Sequence, residues 1–249
     1  MMKLGDLTLN GIPRVAVCVR DNLSAEIIKD IRDLGVDIVE IRIDQYASFE
    51  KKYVLKEVTK FKNLPLIATI RSDKEGGEWK LPEEKRLTLF KAVLPYVNAI
   101  DIELCSKSIL KEVVSAAHKL KKLVIISYHN FDKTPRIDKL NAVTKEAKKF
   151  GADIVKIAAW VSSDIDIQLL ANYTIQNSSK NIIAIGMGPA GAPSRILFPS
   201  LGSLITYASV GRSTAPGQFE YRKTLRLLRT LCPQYNEEKI NSPKLLKLT

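Results

Sequence analysis

The sequence predicts an α/β fold, a (β/α)8 (TIM) barrel in a single domain, and three observations carry that reading. Short apolar runs recur eight times, at 14–19, 36–43, 66–70, 99–103, 123–129, 153–158, 182–186 and 204–208. Runs of this length with no polar face are what strands buried on both sides of a parallel sheet look like. Segments with a 3.6-residue apolar period lie between them, and that alternation implies parallel βαβ units. A length of 249 residues suits one such barrel. The other topology that fits the alternation, a doubly wound open sheet, would carry GxGxxG after its first strand, and none is present.

The helical segments follow in order. Residues 23–34 put Leu23, Ile27, Ile28, Ile31 and Leu34 on one face, with Gly35 placed to end the helix. Pro82 opens 83–94, whose apolar positions are Leu87, Phe90, Ala92 and Leu94. Residues 106–120, 137–150 (stopped by Gly151) and 165–176 continue the pattern. A short segment at 195–199 precedes 219–231, which carries Leu225, Leu228 and Leu231 and stops before Pro233. With no linker and no shift in composition, residues 1–249 read as one catalytic domain. The polar, lysine-rich tail at about 237–249 is expected to be loosely held.

Composition excludes several function classes. No apolar run reaches the roughly 18 residues that span a bilayer, and Met1–Asp6 lacks the apolar core of a signal peptide, so a cytoplasmic protein is expected. Cys18, Cys105 and Cys232 are scattered and odd in number, which suits no disulfide framework. With only His118 and His129 and no HExxH, no metal site is expected. The net charge of +12 comes from 39 basic and 27 acidic residues, but the lysines are dispersed in pairs. A nucleic-acid partner is therefore not expected, and the positive surface would concentrate a small anionic substrate instead.

The most informative residue is Lys156, inside the apolar run Ile154–Ala158. Desolvating an ammonium is costly and favours the neutral amine, a nucleophile that forms Schiff bases with ketones. A structural lysine paired with a buried carboxylate is the alternative. In a barrel of this kind the active site sits at the C-terminal ends of the strands, and chemically capable residues gather there. The second strand ends in Glu40, Arg42 and Asp44, which share one face by the two-residue period. The third runs into Arg71 and a Glu75-Gly76-Gly77-Glu78 loop. The fourth ends in Asp101 and Glu103, either of which could partner Lys156 or Arg42. The fifth ends at His129, placed as a general base should be, whereas His118 on a lysine-rich helix reads as a surface residue. The loop 186–195 could cradle a phosphate, with Ser194 as a cap, although it lacks GKS or GKT; alternatively Arg195 could clamp a carboxylate. The loop 209–218, with Gly211, Pro216 and Gly217, reads as a lid that carries Gln218.

Taken together, Glu40-x-Arg42-x-Asp44, Arg71 through Gly76-Gly77, Asp101-x-Glu103, Ser127-x-His129-x-Phe131 with Thr134-Pro135, Asp153-x-x-Lys156, Met187-Gly188, Ser194-Arg195 and Ala215-Pro216-Gly217-Gln218 resemble the type I 3-dehydroquinate dehydratase family along nearly the whole chain. The resemblance implies a carbon–oxygen lyase, a hydro-lyase of the shikimate pathway that supplies chorismate and the aromatic amino acids. It implies 3-dehydroquinate as substrate and neither metal nor organic cofactor. It implies Lys156 as the Schiff-base lysine, His129 as the general acid/base and Glu75 as the carboxylate that orients His129, with Glu78 as the fallback. It further implies Glu40, Arg42, Arg71, Met187, Arg195, Thr214 and Gln218 as substrate-binding residues. Thr214 stands where the family often has serine, and Cys18 stands on the first strand, where polar residues can occur. The expected chemistry keeps Lys156 partly neutral and leaves His129 near its ordinary pKa. A different Schiff-base barrel lyase, such as a class I aldolase, is the nearest alternative. No membrane partner is expected, and a homodimer is the default assembly.

Overall fold

The computed structural model describes residues 1–9, 11–211 and 215–240. Its core is an eight-stranded parallel sheet of β3 (Arg14–Val19), β4 (Ile38–Arg42), β5 (Leu66–Thr69), β6 (Ala99–Glu103), β7 (Leu123–Asn130), β8 (Ile154–Trp160), β9 (Ile182–Met187) and β10 (Ile205–Ser209). The order β10-β3-β4-β5-β6-β7-β8-β9 follows the chain around a barrel. The seam between β9 and β10 is bridged where Leu204 N donates to Ile182 O at 2.9 Å. The eight runs read from the sequence are the eight barrel strands, with the second trimmed to Ile38–Arg42.

Two apolar clusters follow from the period-2 alternation of side chains. Val15, Val17, Val39, Ile41, Ala68, Ile100, Ile102, Val124, Ile126, Val155 and Ile157 face outward against the helices. Ala16, Cys18, Ile38, Ile67, Ala99, Ile125, Ile154, Ile183, Ile205 and Tyr207 face inward and fill the barrel. Further along the same inward rows, toward the C-terminal mouth, stand Glu40, Thr69, Asp101, Ser127 and Lys156, all buried. The alternation that builds the core thus also aims the polar residues at one another.

The helices are α1 (Ala25–Asp33), α2 (Lys51–Val58), α3 (Glu83–Val93), α4 (Lys107–Lys119), α5 (Ile137–Lys149), α6 (Asp164–Asn177), α7 (Ser194–Ser200), α8 (Tyr221–Leu231) and α9 (Pro233–Ile240). Helix α2 escapes the periodicity reading because only Val54 and Val58 among its apolar residues are buried, and Glu57 is buried beside them.

A small hairpin, β1 (Lys3–Leu4) with β2 (Leu7–Thr8), precedes the barrel, and Leu4 and Leu9 join the interior cluster. Helix α9 corrects the expectation of a loose tail from 237. Lys239 is buried and donates to Asp37 Oδ1 at 2.6 Å and to Gly35 O at 2.7 Å, and Tyr235 Oη donates to Asp37 Oδ2 at 3.0 Å. A buried carboxylate with several donors holds the helix against the N-terminal end of the barrel. The rest of the tail lies outside the described residues.

Candidate active site

The C-terminal mouth holds a cavity, open to solvent, that is lined by Glu40, Arg42, Arg71, Glu75, His129, Lys156, Met187, Arg195 and Gln218 among others. Nine of the ten residues to which the resemblance gives a catalytic or binding role therefore meet in one place. The tenth, Thr214, lies outside the described residues.

Lys156 enters from β8. Its Nζ lies 2.9 Å from Asp101 Oδ2 and 3.4 Å from Glu40 Oε1, and 4.0 Å from the centroid of the Tyr207 ring. Of the two readings left open for this residue, the ion pair is present, with Asp101 as its partner. The same amine also faces the cavity. Burial works against the Asp101 carboxylate, but Arg71 and Lys156 outweigh it and hold the group well below the usual range. Glu40 is likewise lowered, because Lys156 and Arg42 outweigh its burial.

The charges around this centre are locked together. Arg71 donates to Asp101 Oδ1 at 2.8 Å, to Glu103 Oε1 at 3.0 Å and to Ser127 Oγ at 2.6 Å. Ser127 Oγ in turn donates to Asp101 Oδ1 at 2.6 Å. Glu103, which the sequence offered as a partner for Lys156 or Arg42, is instead shared between Arg71 and the fully buried Arg86 of α3. Arg42 pairs with Asp44 through two bonds of 3.0 and 2.8 Å. Asp44 is not on the strand face expected for it: β4 ends at Arg42, and Ile43–Gln45 form a 3₁₀ turn that folds the carboxylate back. Glu40 accepts from Thr69 Oγ1 at 2.8 Å and from Cys18 Sγ at 2.9 Å. Burial, and then Glu40, push the Cys18 thiol up to about 12, so it stays protonated and donates.

His129 ends β7 and pairs with Glu75. Glu75 Oε2 is 2.8 Å from His129 Nδ1 and accepts from His129 N at 2.9 Å. Glu78 is not the partner; it accepts from Gln45 at the surface at 3.2 Å. Glu75 reaches the histidine because Ser72 caps the 3₁₀ turn Asp73–Glu75 and Gly76 leaves it at φ 75°. A Cβ at Gly77 would lie 2.0 Å from Arg71 O, so only glycine lets the loop fold this tightly against the arginine.

The expectation that His129 keeps its ordinary pKa is overturned. Burial, reinforced by Arg71 and Lys156, pushes the imidazole well below it. Burial also pushes Glu75 up to about 7, with Arg71 only partly offsetting it. Near neutral pH the pair therefore resists the fully ionised form, and His129 is a neutral base. The Cys105 thiol, which burial and Glu75 push up to about 12, stands in the same surroundings, a neighbour that nothing in the spacing of the sequence announces.

Arg195 differs from the other cations at the mouth. It is buried, and among the described residues it has no carboxylate partner. Among the described residues it donates to two backbone carbonyls, Pro216 O at 3.1 Å and Tyr207 O at 3.5 Å. Its Nε has no partner, and burial pushes the guanidinium down to about 10. A buried cation without an anion is a seat for one. The alternative of a phosphate cradle in 186–195 fails, because the Ser194 hydroxyl is used within the loop. It accepts from Gly186 N at 2.9 Å and donates to Gly191 O at 2.6 Å. The described part of the lid rests on this loop, with Gly188 N donating to Pro216 O at 3.4 Å. Gln218 Nε2 donates to Cys18 Sγ at 3.4 Å.

His118 is half-exposed and bonds to Asp153 Oδ2 at 3.0 Å, on the helical layer away from the mouth. Among the described residues no cluster of three or more His, Cys, Asp or Glu side chains could hold a metal ion, and no helix is long and apolar enough to cross a membrane.

Known proteins match this chain over most of its length. The family model described as type I 3-dehydroquinase matches residues 15–233. A 3-dehydroquinate dehydratase of Thermodesulfovibrio yellowstonii is 36% identical over 228 residues, spanning 90% of this chain and 98% of that one. One from Methanococcus maripaludis is 39% identical over 199 residues, 78% of this chain and 88% of that one. The crystal structure of a type I 3-dehydroquinate dehydratase from Clostridium difficile with covalently modified comenic acid superposes with a TM-score of 0.81 at 30% identity, covering 90% of this chain and 94% of that one.

Proposed function

Because this chain belongs to the type I 3-dehydroquinase family, we propose that it is a hydro-lyase that dehydrates 3-dehydroquinate to 3-dehydroshikimate through a Schiff base on Lys156. The observation that carries the proposal is the meeting, in one cavity, of a lysine amine, a neutral histidine tied to a carboxylate, and a buried arginine without an anion.

Arg195 holds the substrate carboxylate. Glu40, Arg42, Arg71 and Gln218 meet the hydroxyl groups, Met187 packs on the ring, and Thr214 completes the lid. Clamping both ends fixes the C3 ketone over Lys156. The amine loses a proton and attacks C3, and loss of water gives a protonated imine, which is the electron sink. His129, neutral with Nδ1 committed to Glu75, takes the C2 proton at Nε2 and an enamine forms. The C1 hydroxyl then leaves with a proton returned by His129, and hydrolysis of the imine frees the product. The proposed setting is the cytoplasm and the shikimate pathway, with 3-dehydroquinate as partner and a homodimer as the assembly.

Borohydride reduction in the presence of 3-dehydroquinate, followed by mass mapping, tests the reading. The expected result is an adduct on Lys156, together with the absorbance of a conjugated enone when borohydride is left out. An adduct without enone absorbance would favour an aldolase. No adduct and no enone would end the proposal.

A further inference from the structure

A row of five buried charges of alternating sign runs from the site amine to the outer helical layer. It starts at Lys156, whose Nζ lies 2.9 Å from Asp101 Oδ2. The other oxygen, Asp101 Oδ1, accepts from Arg71 Nη2 at 2.8 Å. Arg71 Nη1 donates onward to Glu103 Oε1 at 3.0 Å, and Glu103 Oε2 pairs with Arg86 Nη2. Each carboxylate gives one oxygen to either neighbour, and Arg71 gives one nitrogen to either side. The row passes from β8 through β6 and the loop after β5 to α3, and none of its five members is more than 5% exposed.

Arg86 ends the row. It lies on the face of α3 that also buries Leu89, Phe90 and Val93. An apolar side chain there would avoid the cost of desolvating a guanidinium. Besides Glu103, Arg86 donates to Ser106 Oγ at 2.9 Å and to Glu83 Oε1 at 3.2 Å. Arg86 does not line the cavity, whereas Arg71 and Lys156 do, so it reaches the site through Glu103.

We propose that Arg86 is a positioning residue: by taking one oxygen of Glu103 it leaves the other for Arg71, and so keeps Arg71 spread between Glu103 and Asp101 at the cavity wall. The proposal rests on the Schiff-base reading above, in which Arg71 meets a substrate hydroxyl and Lys156 attacks the ketone. Without Arg86, Glu103 would be a buried carboxylate with Arg71 as its cation. The arginine fork fits both oxygens of a carboxylate, so Arg71 would turn onto Glu103 and release Asp101 Oδ1. The guanidinium would then leave its place at the wall. Asp101, no longer shared with Arg71, would also favour the ammonium of Lys156 over the attacking amine.

Arg86→Gln keeps a donor for Glu103 and removes the charge, whereas Arg86→Lys keeps the charge and loses the fork. Steady-state kinetics give KM for 3-dehydroquinate, and quenching into borohydride gives the single-turnover rate of imine formation. Thermal unfolding sets a temperature at which every variant is folded. In Arg86→Gln we expect KM to rise and imine formation to slow, each by about 10-fold or more. Arg86→Lys should melt below the wild type, because it cannot keep the bonds to Ser106 and Glu83 together, yet it should return both kinetic values toward the wild type. Wild-type KM and imine formation in folded Arg86→Gln, or an Arg86→Lys no better than Arg86→Gln, would overturn the proposal. If Arg86→Gln does not fold, the double variant Arg86→Met/Glu103→Leu removes both charges of the outer pair at little cost to stability. It leaves Arg71 without its outer anion, so KM should still rise by about 10-fold, and a wild-type KM there would overturn the proposal equally. Absence of any adduct on Lys156 in the wild type would instead end the Schiff-base reading.

Discussion

The carboxylate beside His129 works at a cost to the fold, and replacing Glu75 with glutamine should expose that cost. Its folded-state pKa is raised from 4.5 to about 7, chiefly by burial. The sign follows directly: below about pH 4.5 the carboxyl is protonated in both folded and unfolded chains, so its contribution to stability is full. That contribution is lost as pH rises through about 7, where the folded protein must ionise a buried group. Over a gap of that size the loss is about 3 kcal/mol, at roughly 1.4 kcal/mol for each tenfold change. Glutamine keeps the shape and one acceptor oxygen for His129 N and Nδ1, but carries no charge. The weaker acceptor gives back about 1 kcal/mol. Glu75→Gln should therefore be more stable than the wild type by about 2 kcal/mol at pH 8.5, and the gain should shrink to under about 1 kcal/mol at pH 5. Urea unfolding at both pH values and one protein concentration measures this, with turnover assayed in parallel. Turnover should fall at least about 10-fold, because the imidazole loses its orienting anion. A variant less stable than the wild type at pH 8.5, or a difference that does not change with pH, would refute the reasoning.

Lys156→Ala should abolish turnover and the borohydride adduct. Its stability loss should stay below the ~3–5 kcal/mol of a fully broken buried pair, because Asp101 keeps Arg71 and Ser127; chemical unfolding checks this. His129→Ala should slow turnover by about 10²- to 10⁴-fold while still trapping substrate on Lys156, which mass mapping would detect. Arg195→Gln should raise KM for the substrate far more than it lowers the rate of the trapped imine, since its proposed role is to seat the carboxylate; steady-state and single-turnover kinetics separate the two. In Gly77→Ala the new Cβ would meet Arg71 O at 2.0 Å, so the Arg71 loop must move. The expected result is lost affinity for substrate, measured by calorimetry.

The barrel was legible because its two inward and outward rows obey one period, and eight repeats of that pattern leave few alternatives. Lys156 and His129 were legible for the same reason, as polar residues in runs that otherwise exclude them. What escaped was whatever depends on distances across the barrel. Glu103 reads as a partner for Lys156 until Arg86 arrives from α3, and no spacing in the chain links residues 86 and 103. Tyr207 passes for a core aromatic, since nothing in its strand shows that its ring comes to lie against the Lys156 amine. Helix α9 was missed because its anchor, Asp37, lies about two hundred positions away. The shift at His129 was missed because it comes from burial and from Arg71 and Lys156 together.

Taken alone, the ion pair at Lys156 opposes the proposed chemistry, since a carboxylate 2.9 Å from the amine favours the ammonium, which is no nucleophile. The balance changes when the whole reaction is followed. In the proposed mechanism the protonated imine would carry its positive charge on the same nitrogen, so Asp101 and the face of the Tyr207 ring would support the intermediate as well as the resting amine. Forming the imine leaves the local charge unchanged: one cation sits among the same anions before and after, and no buried charge is created or orphaned. The amine needs to be neutral only at the moment of attack, and a neutral histidine in the same cavity can take the proton then. A buried, paired lysine is thus a reasonable electrophile carrier where a bare one would have to acquire a charge in the low-dielectric mouth. In the proposed mechanism the charge that changes hands on binding is the substrate carboxylate, assigned to Arg195, the buried cation of the mouth that has no carboxylate partner among the described residues.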